Sequence, residues 1–517
     1  MSDFPWLTTL MVVPLVGSAV VALLPSARAA LAKQVALLFA FATLVLTVLM
    51  SLQFQADSTE PFQFVESQPW IPAFGISYSV GVDGIALVLV ALAAVLVPIV
   101  ILAGWNDVED GRGSVKGYFA LILVLETLMI GVFVATDVFL FYVFFEVMLV
   151  PTYFLIGRYG GVQRSYAAVK FLIYSLVGGL FMLAAMIGLY VVSAQLLGEG
   201  TFDFLSLAGL DIDENTQKVL FLGFFLAFAV KAPLWPFHTW LPDAAAEAKP
   251  GTSVLLIGVL DKVGTFGMLR YLLPIFPAAS SFYTPMVIAL ALIGIFYGAY
   301  VALGQNDMRR LFAYSSMSHF GFIALGVFVF TTDGMSGSVI YMVAHGLSTA
   351  ALFLTAGFLM TRYHGSSLIS DYGGVNKVAP VLSGFFMIAA LSSLALPGLV
   401  SFIGEFFVLL GTFQRYLWVG AIATLGIVIT AAYVLRLYQR SMTGPLKPEL
   451  VGMRDLGARE ITALVPIAAL TIFLGFYPAP LFNVINPAVE RTMTSVGATD
   501  PAPTIPSAGL PAEGADQ

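Results

Sequence analysis

Cysteine is absent from this 517-residue chain, which excludes disulfides, thiolate-bound zinc and cysteine-ligated iron–sulfur clusters. Charge is nearly as scarce. Only 10% of the residues are charged while 59% are hydrophobic, against roughly 25% charged in soluble domains. So few charges cannot cover a water-facing surface, and the solvent expected is lipid. No basic patch with interleaved aromatics occurs, so no nucleic-acid partner is expected. No Walker-type phosphate loop is present and no dinucleotide fingerprint follows a strand. The four histidines are scattered without metal-ligand spacing. No metal or cofactor is therefore expected on this chain, and any redox chemistry belongs to another polypeptide or a freely bound cofactor.

What the chain has in abundance is apolar runs of about 20 residues, without the alternation of barrel strands. They predict an all-α polytopic membrane protein with about 14 transmembrane helices. The expected limits are 4–24, 31–52, 84–104, 116–136, 138–157, 166–197, 216–240, 252–273, 282–303, 310–331, 337–361, 380–410, 417–440 and 460–483. The first run follows Asp3 rather than a basic segment, which reads as a retained helix and not a cleaved signal peptide. Between spans two and three, Gly75-Ile-Ser-Tyr-Ser-Val-Gly81 alternates like a strand of an outer-face hairpin. Most Lys and Arg residues fall in loops on one side, among them Arg28, Arg112, Arg158, Arg164, Arg309, Arg310, Arg362 and the set from Arg436 to Arg459. The opposite loops hold only Lys218, Arg270, Arg415 and Arg491. By the positive-inside rule both termini lie outside.

Spans four to eight and nine to thirteen form two blocks of five. The fourth helix of each is interrupted by proline, in Val230-Lys-Ala-Pro-Leu-Trp-Pro236 and in Leu396-Pro-Gly398. The second helix of each carries a lone ionisable group, Glu146 or His319. Five is odd, so the second block is expected to run inverted relative to the first. Paired broken helices in inverted repeats mark the ion site of many transporters, because freed backbone groups meet an ion at the midplane. The expected organisation is 1–115 (three helices and an outer loop), 116–273 (first repeat), 282–440 (inverted repeat), 441–496 (loop and last span) and 497–517 (disordered tail).

An ionisable group mid-span costs at least about 2.5–3.5 kcal/mol unless paired or hydrated, so each one needs a reason. Glu146 lies in Phe-Leu-Phe-Tyr-Val-Phe-Phe-Glu-Val-Met, and Lys231, at the first break, is its candidate partner. Exchange of a proton between them would be a transfer step; the alternative is a structural ion pair. Lys262 follows Asp261 in Leu-Leu-Ile-Gly-Val-Leu-Asp-Lys. Adjacent helical residues point about 100° apart, so Lys262 is read as a relay rather than the local partner of Asp261. Glu405, just past the second break, is the natural terminal acid unless it snorkels to the surface. His319, His345 and His238 can each donate and accept a proton, or be satisfied core residues. Glu126 is alone in span four, as a relay or a helix contact. Asp83 and Asp137 read as helix N-caps.

The stretches Gly81-Val-Asp-Gly-Ile-Ala, Phe141-Tyr-Val-Phe-Phe-Glu146, Lys231-Ala-Pro-Leu-Trp-Pro-Phe-His-Thr-Trp-Leu-Pro-Asp243 and Ser253 through Lys262 resemble the antiporter-like membrane subunits of respiratory complex I. The M type of the bacterial proton-pumping NADH:quinone oxidoreductase is the most similar. The resemblance covers roughly residues 75–440. Glu405 separates this type from its paralogues and from multisubunit sodium/proton antiporters. It implies a 14-helix fold with two inverted repeats, and a hydrated central axis matching Glu146, Lys231, Lys262, His319 and Glu405. His345, His238, Glu126 and Asp261 remain as a secondary path. The resemblance also implies a bacterial cell membrane and flanking membrane-arm partners, two of them paralogous antiporter-like subunits. Flavin mononucleotide, iron–sulfur clusters and quinone would then sit on other subunits. The alternatives are a subunit of a multisubunit cation/proton antiporter and a non-pumping structural subunit. The chain departs from the family at Ala245, where histidine is common, at Lys249-Pro250, and at Asp261.

Overall fold

A computed structural model describes residues 4–108 and 113–502; Asp3, Arg112 and the tail beyond 502 lie outside the described residues. Helices α1 (Trp6–Leu23) and α2 (Ala29–Ser51) lead into an antiparallel hairpin, β1 (Gln63–Ile71) and β2 (Ile76–Val82), then α3 (Gly84–Ala103). The hairpin caps one end of the bundle. Its Ser79 carbonyl accepts from the Thr136 N–H at 2.9 Å, and the Ser77 N–H donates to the Asp137 carboxylate at 3.0 Å. Asp83 and Asp137 also cap their helices, accepting from the N–H groups of Ala86 and Leu140.

The first five-helix block comprises α4 (Val115–Val134), α5 (Val138–Val147), α6 (Leu149–Tyr159), α7 (Arg164–Leu197), the short connecting α8 (Phe204–Ala208), α9 (Glu214–Lys231) and α10 (Trp240–Glu247). Its last crossing is α11 (Pro250–Leu255), α12 (Lys262–Gly267) and α13 (Leu273–Ile275) joined by two π turns. The second block is α14 (Pro277–Gly304), α15 (Met308–Phe328), α16 (Thr332–Arg362), α17 (Pro380–Ser393), α18 (Val400–Arg415) and α19 (Leu417–Met442). In each block the third helix is the longest, 34 residues in α7 and 31 in α16, and the fourth crossing is split in two. Among the described residues, twelve helices are long and apolar enough to cross a membrane; with the split crossings α9/α10 and α17/α18 the total there is fourteen. The chain is a multi-pass helical membrane protein.

Proline chemistry explains the breaks. Pro233 has no N–H to continue α9, and its ring opposes the carbonyl of Ala229. That carbonyl is taken by the Leu234 N–H at 2.9 Å instead, and the Val230 carbonyl is taken by the Trp240 indole N–H at 2.9 Å. Freed backbone groups are thus satisfied inside the protein, as a bilayer demands. A third break was not expected: span five divides at Met148, two residues after Glu146, because the ring of Pro151 opposes the carbonyl of Val147.

The end of the chain also departs from expectation. The last span, α20, runs only over Ala458–Phe476, and a separate helix, α21 (Ala479–Ser495), follows. Pro478 stops the first helix and begins the second. Helix α21 buries one stripe, Ile485, Ala488, Val489, Thr492 and Met493, at the spacing of a helix lying on a surface. Residues 497–502, expected to be disordered, are docked at their start. The Thr499 carbonyl accepts from Arg415 at 2.5 Å, and the Asp500 carboxylate accepts from the Thr332 N–H at 2.8 Å.

Loops that touch one another sort into two sets at opposite ends of the bundle. On the arginine-rich end, the Asp243 carboxylate accepts from Lys170 at 2.8 Å and Arg310 at 2.7 Å, tying the two blocks. At the same end Arg362 grips Glu460 with two nitrogens, at 2.5 and 3.0 Å. This fork joins the end of α16 to the start of α20, with both side chains largely buried. Arg362→Ala leaves the Glu460 carboxylate without its partner and is expected to destabilise the folded protein by about 3 kcal/mol. Thermal unfolding of the detergent-solubilised protein measures it, and an unchanged midpoint would show the fork to be idle.

Candidate functional site

Glu146 is the last polar group before the break between α5 and α6, half-buried against α7. One carboxylate oxygen, Oε1, is buried without a hydrogen-bond partner. It lies where Gly179 has no side chain: a Cβ added there would be 1.6 Å from that oxygen. Lys231 closes α9. Its ammonium is buried without a hydrogen-bond partner and lies 4.7 Å from the ring centre of Phe145 and 5.9 Å from that of Phe171. The pair expected between Glu146 and Lys231 is therefore not made as a bonded contact. The two charges act on each other through space, while aromatic faces hold the cation. In this arrangement the pair is open.

Lys262 follows a π turn over Leu256–Leu260, in which the Asp261 N–H reaches back to the Leu256 carbonyl at 3.2 Å. The widened turn lets the Lys262 ammonium donate to the Ile257 carbonyl. The same ammonium lies 2.7 Å from Nδ1 of His345 on α16, with the Phe320 ring 5.2 Å away. Single π turns of this kind are frequent at functional sites. Asp261 is fully buried with both carboxylate oxygens unpartnered, in the field of Lys262 and of Lys231. Lys262 pairs across to a histidine and not with its neighbour in sequence.

From His345 the ring of His319 is the next titratable group, 5.5 Å between centres, with no hydrogen bond between the two. Nδ1 of His319 is 2.6 Å from the Tyr341 hydroxyl, and that hydroxyl donates to Glu405 Oε2 at 3.0 Å. Glu405 is 4% exposed, so it does not snorkel. Nε2 of His319 has Ser315 Oγ at 3.2 Å and Ser393 Oγ at 3.4 Å, and Ser315 Oγ is 2.6 Å from the Tyr433 hydroxyl. Ser348, Ser392 and Ser401 form a further hydroxyl cluster at the α17/α18 break.

The structure thus brings Lys262, His345, His319 and Glu405 into one buried row, with Asp261 in the field of Lys262 and Lys231, and Glu146 in that of Lys231. It leaves two candidates aside. Glu126 is fully buried on α4 with neither oxygen partnered, so it makes no hydrogen bond to any of the others. His238 packs against Tyr297 and Tyr314, ring centres 5.1 and 6.4 Å away, and its Nδ1 has no partner. The sequence reading missed Tyr341, Ser315, Tyr433 and Gly179. Tyr341 and Ser315 precede the two histidines by four residues, the spacing that puts side chains on one helix face, and that signal could have found them. Among the described residues no cluster of His, Asp or Glu could hold a metal ion.

The membrane-domain family described as NADH:quinone oxidoreductase/Mrp antiporter matches residues 135–430. The chain belongs to that family. It is 52% identical to NADH-quinone oxidoreductase subunit M of Mycobacterium tuberculosis, over 100% of this chain and 99% of that protein. It is 40% identical to the subunit M of Rhodobacter capsulatus, over 92% of this chain and 94% of that one. Among solved structures, a chain of respiratory complex I from Thermus thermophilus matches with a TM-score of 0.86 at 31% identity, covering 95% of this chain and 100% of that one. The Mrp complex of Dietzia matches with a TM-score of 0.84 at 20% identity, over 96% of this chain and 100% of that one; that likeness shows the fold alone. Both subunit M relatives are thus similar over at least 92% of this chain.

Proposed function

We propose that the chain is a proton-translocating membrane-arm subunit of an NADH:quinone oxidoreductase, coupling quinone reduction elsewhere to proton movement along the buried row. The observation that carries this reading is the row itself: Lys262 on His345, and His319 linked through Tyr341 to Glu405, all inside the bundle. Isolated ionisable groups at this depth are too costly to keep for packing alone. The full-length similarity to M-type subunits favours this reading over that of a cation/proton antiporter subunit. The partners are then the other membrane-arm subunits, two of them paralogous antiporter-like chains. Flavin mononucleotide, iron–sulfur clusters and quinone belong to other subunits. The arginine-rich end faces the cytoplasm of a bacterial cell, which puts both termini outside the plasma membrane.

In this mechanism, a change at the Glu146 end alters the field at Lys231. The Lys231 ammonium, held only by ring faces, passes a proton toward Lys262, helped by Asp261 in the field of both lysines. Lys262 and His345 hold the proton at the centre, and Glu405 receives it for release. Release works against about 2.3 kcal/mol per elementary charge per 100 mV.

Purification of the tagged chain from its native membrane, with NADH-driven proton uptake by vesicles of a Glu405→Gln strain, tests the reading. The expected result is co-purification with redox subunits and, in the variant, normal assembly with proton uptake reduced on the order of tenfold. Sodium-sensitive growth with intact NADH oxidation would point instead to an antiporter. Failed assembly of charge-neutral variants would point to a scaffold.

A further inference from the structure

The row is continuous at its Glu405 end only because of one phenol. Tyr341 lies on α16, fully buried, one turn from His345. Its hydroxyl oxygen is 2.6 Å from His319 Nδ1 and 3.0 Å from Glu405 Oε2. Packing leaves it little freedom: a Cβ added to Gly404, next to Glu405, would lie 2.6 Å from the Tyr341 Cα, so α18 rests directly on α16 at this residue.

A phenol has one hydrogen to donate. With Glu405 ionised, that hydrogen points to the carboxylate, and the phenol oxygen accepts from Nδ1–H of His319. A neutral imidazole carries its proton on one nitrogen, so Nε2 is then the acceptor, facing Ser315 Oγ at 3.2 Å. The Ser315 oxygen in turn accepts from the Tyr433 hydroxyl at 2.6 Å. Every link in the series Tyr433, Ser315, His319, Tyr341, Glu405 then has one donor and one acceptor, all oriented toward the carboxylate.

We propose that the Tyr341 hydroxyl is the relay through which Glu405 is protonated, carrying the proton between His319 and the carboxylate. The proposal rests on Glu405 being a proton acceptor of this subunit. A proton arriving at Nε2 makes His319 cationic. The Nδ1–H bond then breaks as a new O–H bond forms on Tyr341, and the original Tyr341 O–H bond breaks as its proton binds Glu405 Oε2. His319 ends neutral with its proton on Nε2, Tyr341 ends neutral, and Glu405 ends protonated. One positive charge has crossed the gap and no electron has moved between residues. Before the next transfer the hydroxyl rotates back toward the carboxylate, and the Nε2 proton must be exchanged. The relay therefore passes one proton per reset.

The test compares two variants of the assembled complex in native membrane vesicles. Tyr341→Phe keeps the ring and removes the hydroxyl, leaving a filled, dry gap. Tyr341→Ser keeps a hydroxyl and opens room that water can enter and bridge. Assembly, NADH:quinone turnover and NADH-driven proton uptake are measured for both. The relay predicts normal assembly of the Phe variant, proton uptake down on the order of tenfold, and a Ser variant that pumps better than Phe. A packing role predicts the reverse order, since Phe fills the site and Ser does not. A Phe variant that pumps as the native protein, or a Ser variant below it, overturns the proposal. Glu405→Gln run alongside separates the levels. If that variant also pumps normally the wider reading fails, whereas if it alone is impaired only the tyrosine relay does.

Discussion

Lys262→Ala is expected to abolish most NADH-driven proton uptake while leaving the complex assembled. The side chain sits at the centre of the row, its ammonium 2.7 Å from Nδ1 of His345. Removing it leaves a methyl group facing Nδ1 of His345, whose other nitrogen has no protein partner. The ammonium of Lys231 is held over Phe145. A loss of tenfold corresponds to about 1.4 kcal/mol in the transfer barrier, which is modest against the cost of a charge without its carrier at bilayer depth. A hundredfold loss is therefore well within reach. The backbone cost is small, because the π turn is closed by main-chain bonds and the lysine only adds a contact to Ile257. Proton uptake and quinone turnover should fall together if the two are tightly coupled. Native rates of pumping in Lys262→Ala, with the variant confirmed in the complex, would remove Lys262 from the path. Lys262→Arg tests the same point differently: it keeps the charge, but a guanidinium does not give up its proton, so it should not restore the flux.

The architecture was largely readable from the residues because lipid allows few solutions. Apolar runs marked the crossings, Pro233 and Pro397 marked the split helices, and the arginines sorted the loops. Where reading failed, a local cause was present but outweighed in the sequence by apolar bulk. Pro151 sits four residues beyond Val147 and breaks span five, yet the flanking run reads as one helix. Pro478 divides the last segment in the same way. Which residue meets which was less legible. Glu146 and Lys231 are natural partners by charge, and only the packing of α5 and α9 shows the ammonium over rings instead. Lys262 and His319 stand next to each other on the expected axis with His345 on a secondary path, but α16 places His345 against Lys262. Tyr341 is an aromatic residue in an apolar run, indistinguishable from core until α15, α16 and α18 are brought together. Gly179 is the extreme case, since its role is to be absent where a carboxylate needs space.

That space makes the second large effect. Gly179→Ala is expected to lower proton uptake on the order of tenfold, about 1.4 kcal/mol in barrier, with the complex intact. The added methyl would stand 1.6 Å from Glu146 Oε1 and 2.6 Å from Cδ, far inside van der Waals contact. The atoms in conflict are the end of a flexible side chain rather than backbone, so the helices need not part; the carboxylate moves instead. It leaves the position from which its charge acts on Lys231, and interactions between charges weaken with distance in every dielectric. Gly178→Ala is the internal control, because its Cβ would meet the Ala227 Cα at 3.2 Å and no carboxylate. It should disturb packing between α7 and α9 a little and flux much less. Glu146→Asp in the Gly179→Ala background shortens the acid by one methylene, draws it back from the methyl and should recover part of the lost flux. Equal loss in the two alanine variants, without recovery by the shorter acid, would mean that α7 packing matters and the seat of Glu146 does not.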